Sequence, residues 1–179
     1  MSERKFEIVK IIVGFALVAI VGPIVSKAFT HFEAKEHERA RSRERALVLH
    51  DHLIESGANR VFWARRILAE VSRTDTDSSV ELPYKEYNQS VAKWTATISS
   101  GLKTIENTYP EKIWLEFKRL NSDLGKLNEI VRRQIADLEK NGVAGDQKDN
   151  TDFAVNLSER VIGLSYQMQG YINSVEFQN

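Results

Sequence analysis

Between Ile11 and Ser26 the chain reads IIVGFALVAIVGPIVS, sixteen residues without a charge. No other stretch constrains the fold as strongly. Extended outward to Phe6 and Phe29, the apolar stretch covers 24 residues and is interrupted only by Glu7, Lys10 and Lys27. At about 1.5 Å per residue, 24 helical residues span about 36 Å, enough for a hydrocarbon core about 30 Å thick. The sequence therefore predicts an N-terminal membrane anchor over residues 1–30, with Ile11, Ile12, Phe15, Leu17, Ile20, Val21 and Ile24 as its bulky apolar members. Lys10 and Lys27 sit where their long stems can carry the ammonium groups to the headgroups. Pro23 comes late in the run, where it bends a membrane helix rather than breaking it.

Two other readings fit part of this pattern. Arg4, Lys5, the apolar run and Ser26-Lys27-Ala28 share the layout of a cleaved secretory signal. Glu7 and Lys10 fall where such a signal should already be apolar, and the charged segment that follows continues in helical register. A buried soluble helix is the other reading, but such helices usually carry a polar face. Lys and Arg are more frequent after the run (Lys27, Lys35, Arg39, Arg41, Arg43, Arg45) than before it. The positive-inside bias accordingly places the bulk of the chain in the cytoplasm, with an extracytoplasmic bulk as the alternative.

Residues 31–46, HFEAKEHERARSRERA, hold one large apolar side chain, Phe32. Glu36 with Arg39, and Glu38 with Arg41, have the i,i+3 spacing at which opposite charges meet on a helix. This segment reads as a charged helical stalk. The membrane-proximal basic residues Lys27, Lys35, Arg39, Arg41, Arg43 and Arg45 then form a solvated face, or contact anionic headgroups or an acidic partner.

Residues 47–179 carry four apolar stripes at helical spacing. The first runs through Leu47, Ile54, Val61, Leu68 and Val71, with Gly57, Ala58 and Ala64 as small members and His50 as a polar exception. The turn-rich TDTDSS at 74–79 ends it, and Pro83 marks the first turn of the next helix. The second stripe holds Tyr84, Tyr87, Val91, Trp94, Ile98, Leu102, Ile105 and Tyr109. Pro110 pushes Tyr109 toward an extended backbone, so a connection is expected at 107–109, the alternative being one long kinked helix. The third stripe is Ile113, Phe117, Leu120, Leu124, Leu127, Val131, Ile135 and Leu138, closed by Asn141-Gly142. A loop is expected over 141–152, and the last stripe is Phe153, Leu157, Val161, Leu164, Met168, Tyr171 and Val175. Helices of this kind bury their stripes best against one another. The expected fold class is all-α: a transmembrane helix, a charged stalk and an antiparallel four-helix bundle with coiled-coil-like seams.

Chemistry is poorly signalled. The chain has no Cys, which excludes disulfides and cysteine-held metals. It has no Glu-x-x-His pair for a di-iron bundle, no Gly-x-Ser-x-Gly elbow and no phosphate loop. His50 and His52 lie about 200° apart around a helix and are poorly placed to share an ion. Equal numbers of Lys+Arg and Asp+Glu, 25 each, remove the electrostatic case for nucleic-acid binding. The expectation is thus a non-enzymatic interaction or assembly protein, with no cofactor and no metal. Its expected partners are the lipid bilayer, an unidentified protein and a second copy of the chain through the membrane helix, where Ala19, Gly22 and Ser26 are small, and the stalk. Trp63 and Trp114, which flank their stripes, are the candidate partner surface, although packing over the core edge is the simpler account of them. A ligand-sensing bundle on the extracytoplasmic side is the alternative function.

Overall fold

The structure, a computed structural model, describes the backbone over residues 3–73, 80–141 and 148–174, and side chains over 27, 29–73, 80–140 and 148–174. Four helices make up these residues: α1 (Glu3–Val71), α2 (Glu81–Thr108), α3 (Glu111–Asn141) and α4 (Lys148–Ile172). The chain divides into two units, Met1–Arg43 and Glu44–Asn179. Among the described residues no helix is long and apolar enough to cross a membrane. The anchor residues Ile11, Ile12, Phe15, Leu17, Ile20, Val21 and Ile24 fall outside the residues whose side chains are described.

The second unit is an antiparallel four-helix bundle, and specific contacts fix its register. Between α1 and α2, Gly57 faces Trp94 and Leu49 faces Gly101. Between α2 and α3, Trp94 Nε1 donates to Asn121 Oδ1 at 2.9 Å and Tyr87 Oη donates to Asn128 Oδ1 at 3.3 Å. Arg160 of α4 pairs with Asp123 of α3. His50 of α1 meets Ser165 of α4 at 3.1 Å, which closes the ring. Across α1–α2 and α2–α3 one number rises as the other falls, and Gly57 beside Val161 together with His50 beside Ser165 makes α4 antiparallel to α1 and hence to α3.

The helix ends follow from local chemistry. The first intrahelical bond of α2 runs from Tyr84 N to Val80 O at 2.9 Å. Pro83 stands one residue earlier, where a missing N–H costs nothing. At the other end Tyr109 is extended (φ −102°, ψ 149°), as steric conflict with Pro110 requires. Pro110 O accepts from Trp114 N at 3.1 Å to open α3. The two helices are therefore separate, and the connection is Tyr109-Pro110, which starts two residues and ends one residue later than 107–109. The expected 141–152 loop is also shorter than the sequence suggests, because α4 begins at Lys148.

The cores of α3 and α4 match their stripes, with Leu138, Phe153 and Tyr171 only partly buried and Val175 outside the described residues. On α1 the expected His50, Gly57, Val61, Ala64, Leu68 and Val71 are buried, but nearer Ala46 the buried line runs one residue earlier than Leu47 and Ile54. Ala46, Leu53, Val61, Ala64, Ile67, Leu68 and Val71 are buried, Leu47 and Ile54 are half-buried, and Ala58 is exposed. The cause is Arg60, which occupies the core position between Leu53 and Ile67 and hides the apolar repeat they belong to. On α2, Leu102 is exposed and Gly101 is buried in its place, because Leu49 fills the space a Cβ would need, its Cδ1 lying 2.5 Å from that position.

Candidate interaction surface

Polar groups inside the bundle come first, since burial makes them costly unless paired. Arg60 is 5 % exposed, and its Nη2 donates to the Leu124 carbonyl at 2.6 Å. Tyr87 shares a hydrogen bond with the same guanidinium. Its phenol is pushed above the ordinary tyrosine range by burial, which outweighs the opposing influence of Arg60. Arg60 Nε has no partner. Tyr109, whose hydroxyl donates to Ala46 O at 3.5 Å, is likewise shifted upward, mainly by burial and further by the Asp51 carboxylate.

His50 is buried, as a polar residue at a core edge should be. Its Nδ1 donates to Asp51 Oδ1 at 2.9 Å, and Nε2 lies 3.1 Å from the Ser165 hydroxyl and 3.3 Å from the Ser165 carbonyl oxygen. His52 is exposed and lines a groove instead. Among the described residues no cluster of three or more His, Cys, Asp or Glu side chains is arranged to hold a metal. The groove, about 530 Å³, lies between α1 and α2 and is bounded by Val48, Leu49, Ala96 and Ser100, with Glu44, Arg45 and His52 at its rim. A smaller notch between α3 and α4 is an ion-pair network. Burial opposes ionisation of Asp123, but Lys126 and Arg160 prevail and hold its carboxyl below the usual carboxylate range.

The two tryptophans serve different places. Trp63 is half-buried against the core, edge-on to exposed Phe62 at 5.0 Å, with the Arg66 guanidinium 5.7 Å above its ring. Trp114 stacks on Phe117 at 5.8 Å, and Phe117 in turn stacks on Trp94 at 6.1 Å. Lys118 covers its outer face at 5.1 Å. α1 and α3 run the same way, with Arg60 level with Leu124. Trp63 and Trp114 are therefore about 20 Å apart along the bundle axis and cannot form one patch.

The same register reveals what the stripes do not. Val48 on α1, Leu102 on α2, Leu115 on α3, and Ile162 and Tyr166 on α4 are all exposed large hydrophobics. They fall within about 10 Å of one another along the axis, forming a girdle around the Ala46 end of the bundle. Tyr166 is 71 % exposed. Trp114 lies at this level and Trp63 does not. On α4 the girdle sits in a segment, 161–175, without a charged residue. Sequence reasoning placed Leu102 in the core and passed over Val48, Leu115, Ile162 and Tyr166, whose only signal is an apolar residue off its own stripe.

The basic residues Lys27, Lys35, Arg39, Arg41, Arg43 and Arg45 are all exposed on α1. No protein-family model matches the chain, and no curated protein or solved structure is similar enough to count as a match.

Proposed function

We propose that the chain is a non-enzymatic, membrane-anchored interaction protein whose helical bundle docks a protein partner through its girdle. The observation that carries the reading is that girdle. Each large apolar side chain moved from water into an interface contributes about 1.5–3 kcal/mol, and interface centres are apolar and aromatic with few charges. The uncharged outer face of α4, bearing Ile162 and Tyr166, has that composition. The anchor rests on the sixteen-residue uncharged run at 11–26. The basic residues after it favour a cytoplasmic bundle. Self-association through the anchor and stalk is compatible with this arrangement.

The test is affinity capture of the full-length chain from mild detergent, comparing wild type with the Ile162→Glu/Tyr166→Glu double variant. The reading expects a stoichiometric protein component that the double variant loses while its thermal unfolding is unchanged. Identical recovery from both, or recovery of the chain alone, would overturn it. A second reading, a ligand-sensing bundle, draws on the α1–α2 groove, whose volume is that of a small-molecule site. It predicts a co-purifying small molecule displaced by Ala96→Trp.

A further inference from the structure

Every residue lining the α1–α2 groove lies between Glu44 and Ser100, so the groove belongs wholly to the second unit. Its lining is mostly apolar, with Val48, Leu49 and Ala96 as the apolar members. The hydroxyls beside them are already used. Thr97 Oγ1 donates to the Lys93 carbonyl at 3.0 Å, and Ser100 Oγ donates to the Ala96 carbonyl at 3.0 Å. Neither keeps a proton for a guest, so the side-chain donors left in the lining are at its rim, on Arg45 and His52. An occupant thus meets an apolar trough with donors at one edge.

Charge then decides what sits at that edge. At 100° per residue, Val48, Leu49 and His52 define the groove's centre line on α1, and Arg45 lies within about 20° of it. Glu44, the one carboxylate lining the groove, is turned about 85° away. Asp51 is tied to His50, and Glu55 does not line the groove. On the α2 side, residues 87–105 hold no acid and two lysines, Lys93 and Lys103. Arg45 enters no ion pair among the described residues.

We propose that the α1–α2 groove binds a single-chain amphiphile with an anionic head, its chain against Val48, Leu49 and Ala96 and its carboxylate at Arg45. The inference deepens the ligand reading of this groove and rests on it, independently of the anchor and the girdle. A volume of about 530 Å³ is that of a small-molecule site. A neutral or cationic amphiphile gains the same apolar contact but leaves the Arg45 guanidinium without a partner. A ligand polar along its whole length finds too few donors in the trough and loses its hydration there.

The probe is decanoic acid carrying a photo-reactive diazirine on its chain, with the matching decanol as the uncharged comparison. Full-length protein in phosphatidylcholine nanodiscs, whose lipid has no net charge, is irradiated with each. Adducts are mapped by peptide mass spectrometry and normalised to those on lipid. The proposal expects adducts of the acid at Val48, Leu49, Ala96 or Thr97 that unlabelled decanoate competes away. Ala96→Trp, which fills the groove, abolishes them; Arg45→Gln, and the alcohol in place of the acid, each reduce them by about threefold to fivefold. Ala96 and Arg45 are exposed, so both variants should keep the wild-type thermal unfolding. Equal groove labelling by acid and alcohol, unchanged in Arg45→Gln, overturns the anionic ligand and leaves the groove as a ligand site. Groove labelling that is absent, or no denser than at Leu102 and Tyr166, overturns both.

Discussion

Gly57 and Gly125 both lie inside helices, and replacing each with alanine separates helix propensity from helix–helix contact. Alanine is favoured over glycine by about 1 kcal/mol in a helix interior. At Gly125, on the exposed side of α3, an added Cβ meets nothing within 4 Å, so Gly125→Ala should gain the full amount. At Gly57 the Cβ would come to 3.1 Å from Trp94 Cζ3 and 3.8 Å from Val161. The indole has little room to yield, because its Nε1 is tied to Asn121 and its face is stacked on Phe117. Overpacking of a filled core costs about 1–3 kcal/mol, which cancels or exceeds the propensity gain. The two variants should therefore differ by about 1–3 kcal/mol, with Gly125→Ala the more stable. For a chain of this size that separates the Tm values by about 3 °C or more. Tryptophan fluorescence of the full chain in detergent is the assay, since all three tryptophans lie in the bundle unit. Equal stabilisation by both substitutions would show that Trp94 does not press on Gly57 and would refute the α1–α2 register from which the girdle is read.

Arg60→Met should leave stability unchanged or raise it by about 1–4 kcal/mol in urea unfolding, because it removes a buried charge that has no carboxylate partner; a loss above about 1 kcal/mol would show that the bond to the Leu124 carbonyl dominates. Asn121→Ala should cost about 0.5–1.5 kcal/mol by removing the bond to the Trp94 N–H, Asn121 being exposed enough for water to replace it, and Trp94→Phe in that background should cost less than it does alone. Burial raises the pKa of Tyr87 and Tyr109 in the folded chain, whereas in the unfolded chain they ionise near pH 10. Their contribution to stability is therefore whole below about pH 10 and is lost as pH rises toward the folded values. Absorbance titration at alkaline pH should show these two of the five tyrosines ionising only as helicity falls; normal titration with helicity intact would contradict it.

The helices were legible because their stripes are long and their breaks are chemical. Pro110 marks the α2–α3 turn through a steric rule that needs no tertiary information. The α1 face is harder, because Arg60 interrupts the line from Leu53 to Ile67 and the alternative line through Leu47 and Ile54 looks more continuous. Gly101 and Leu102 exchange roles for a reason located on another helix, at Leu49. Lys148–Asp152 is polar enough to read as loop, yet extends α4 by more than a turn. The girdle is illegible in principle from one sequence: its members are ordinary off-stripe residues, and only the register between helices brings them to one level. Trp63 and Trp114 fail as a pair for the same reason.

The central claim is that the girdle is covered by a partner at the membrane. A photo-reactive amino acid placed in the full-length chain at Leu102, Leu115 or Tyr166, with Lys112 and Glu129 as exposed controls, tests it in intact membranes. The account predicts one discrete protein adduct shared by the three girdle positions and absent from the controls. Adducts at the controls alone, or none at the girdle, would contradict it.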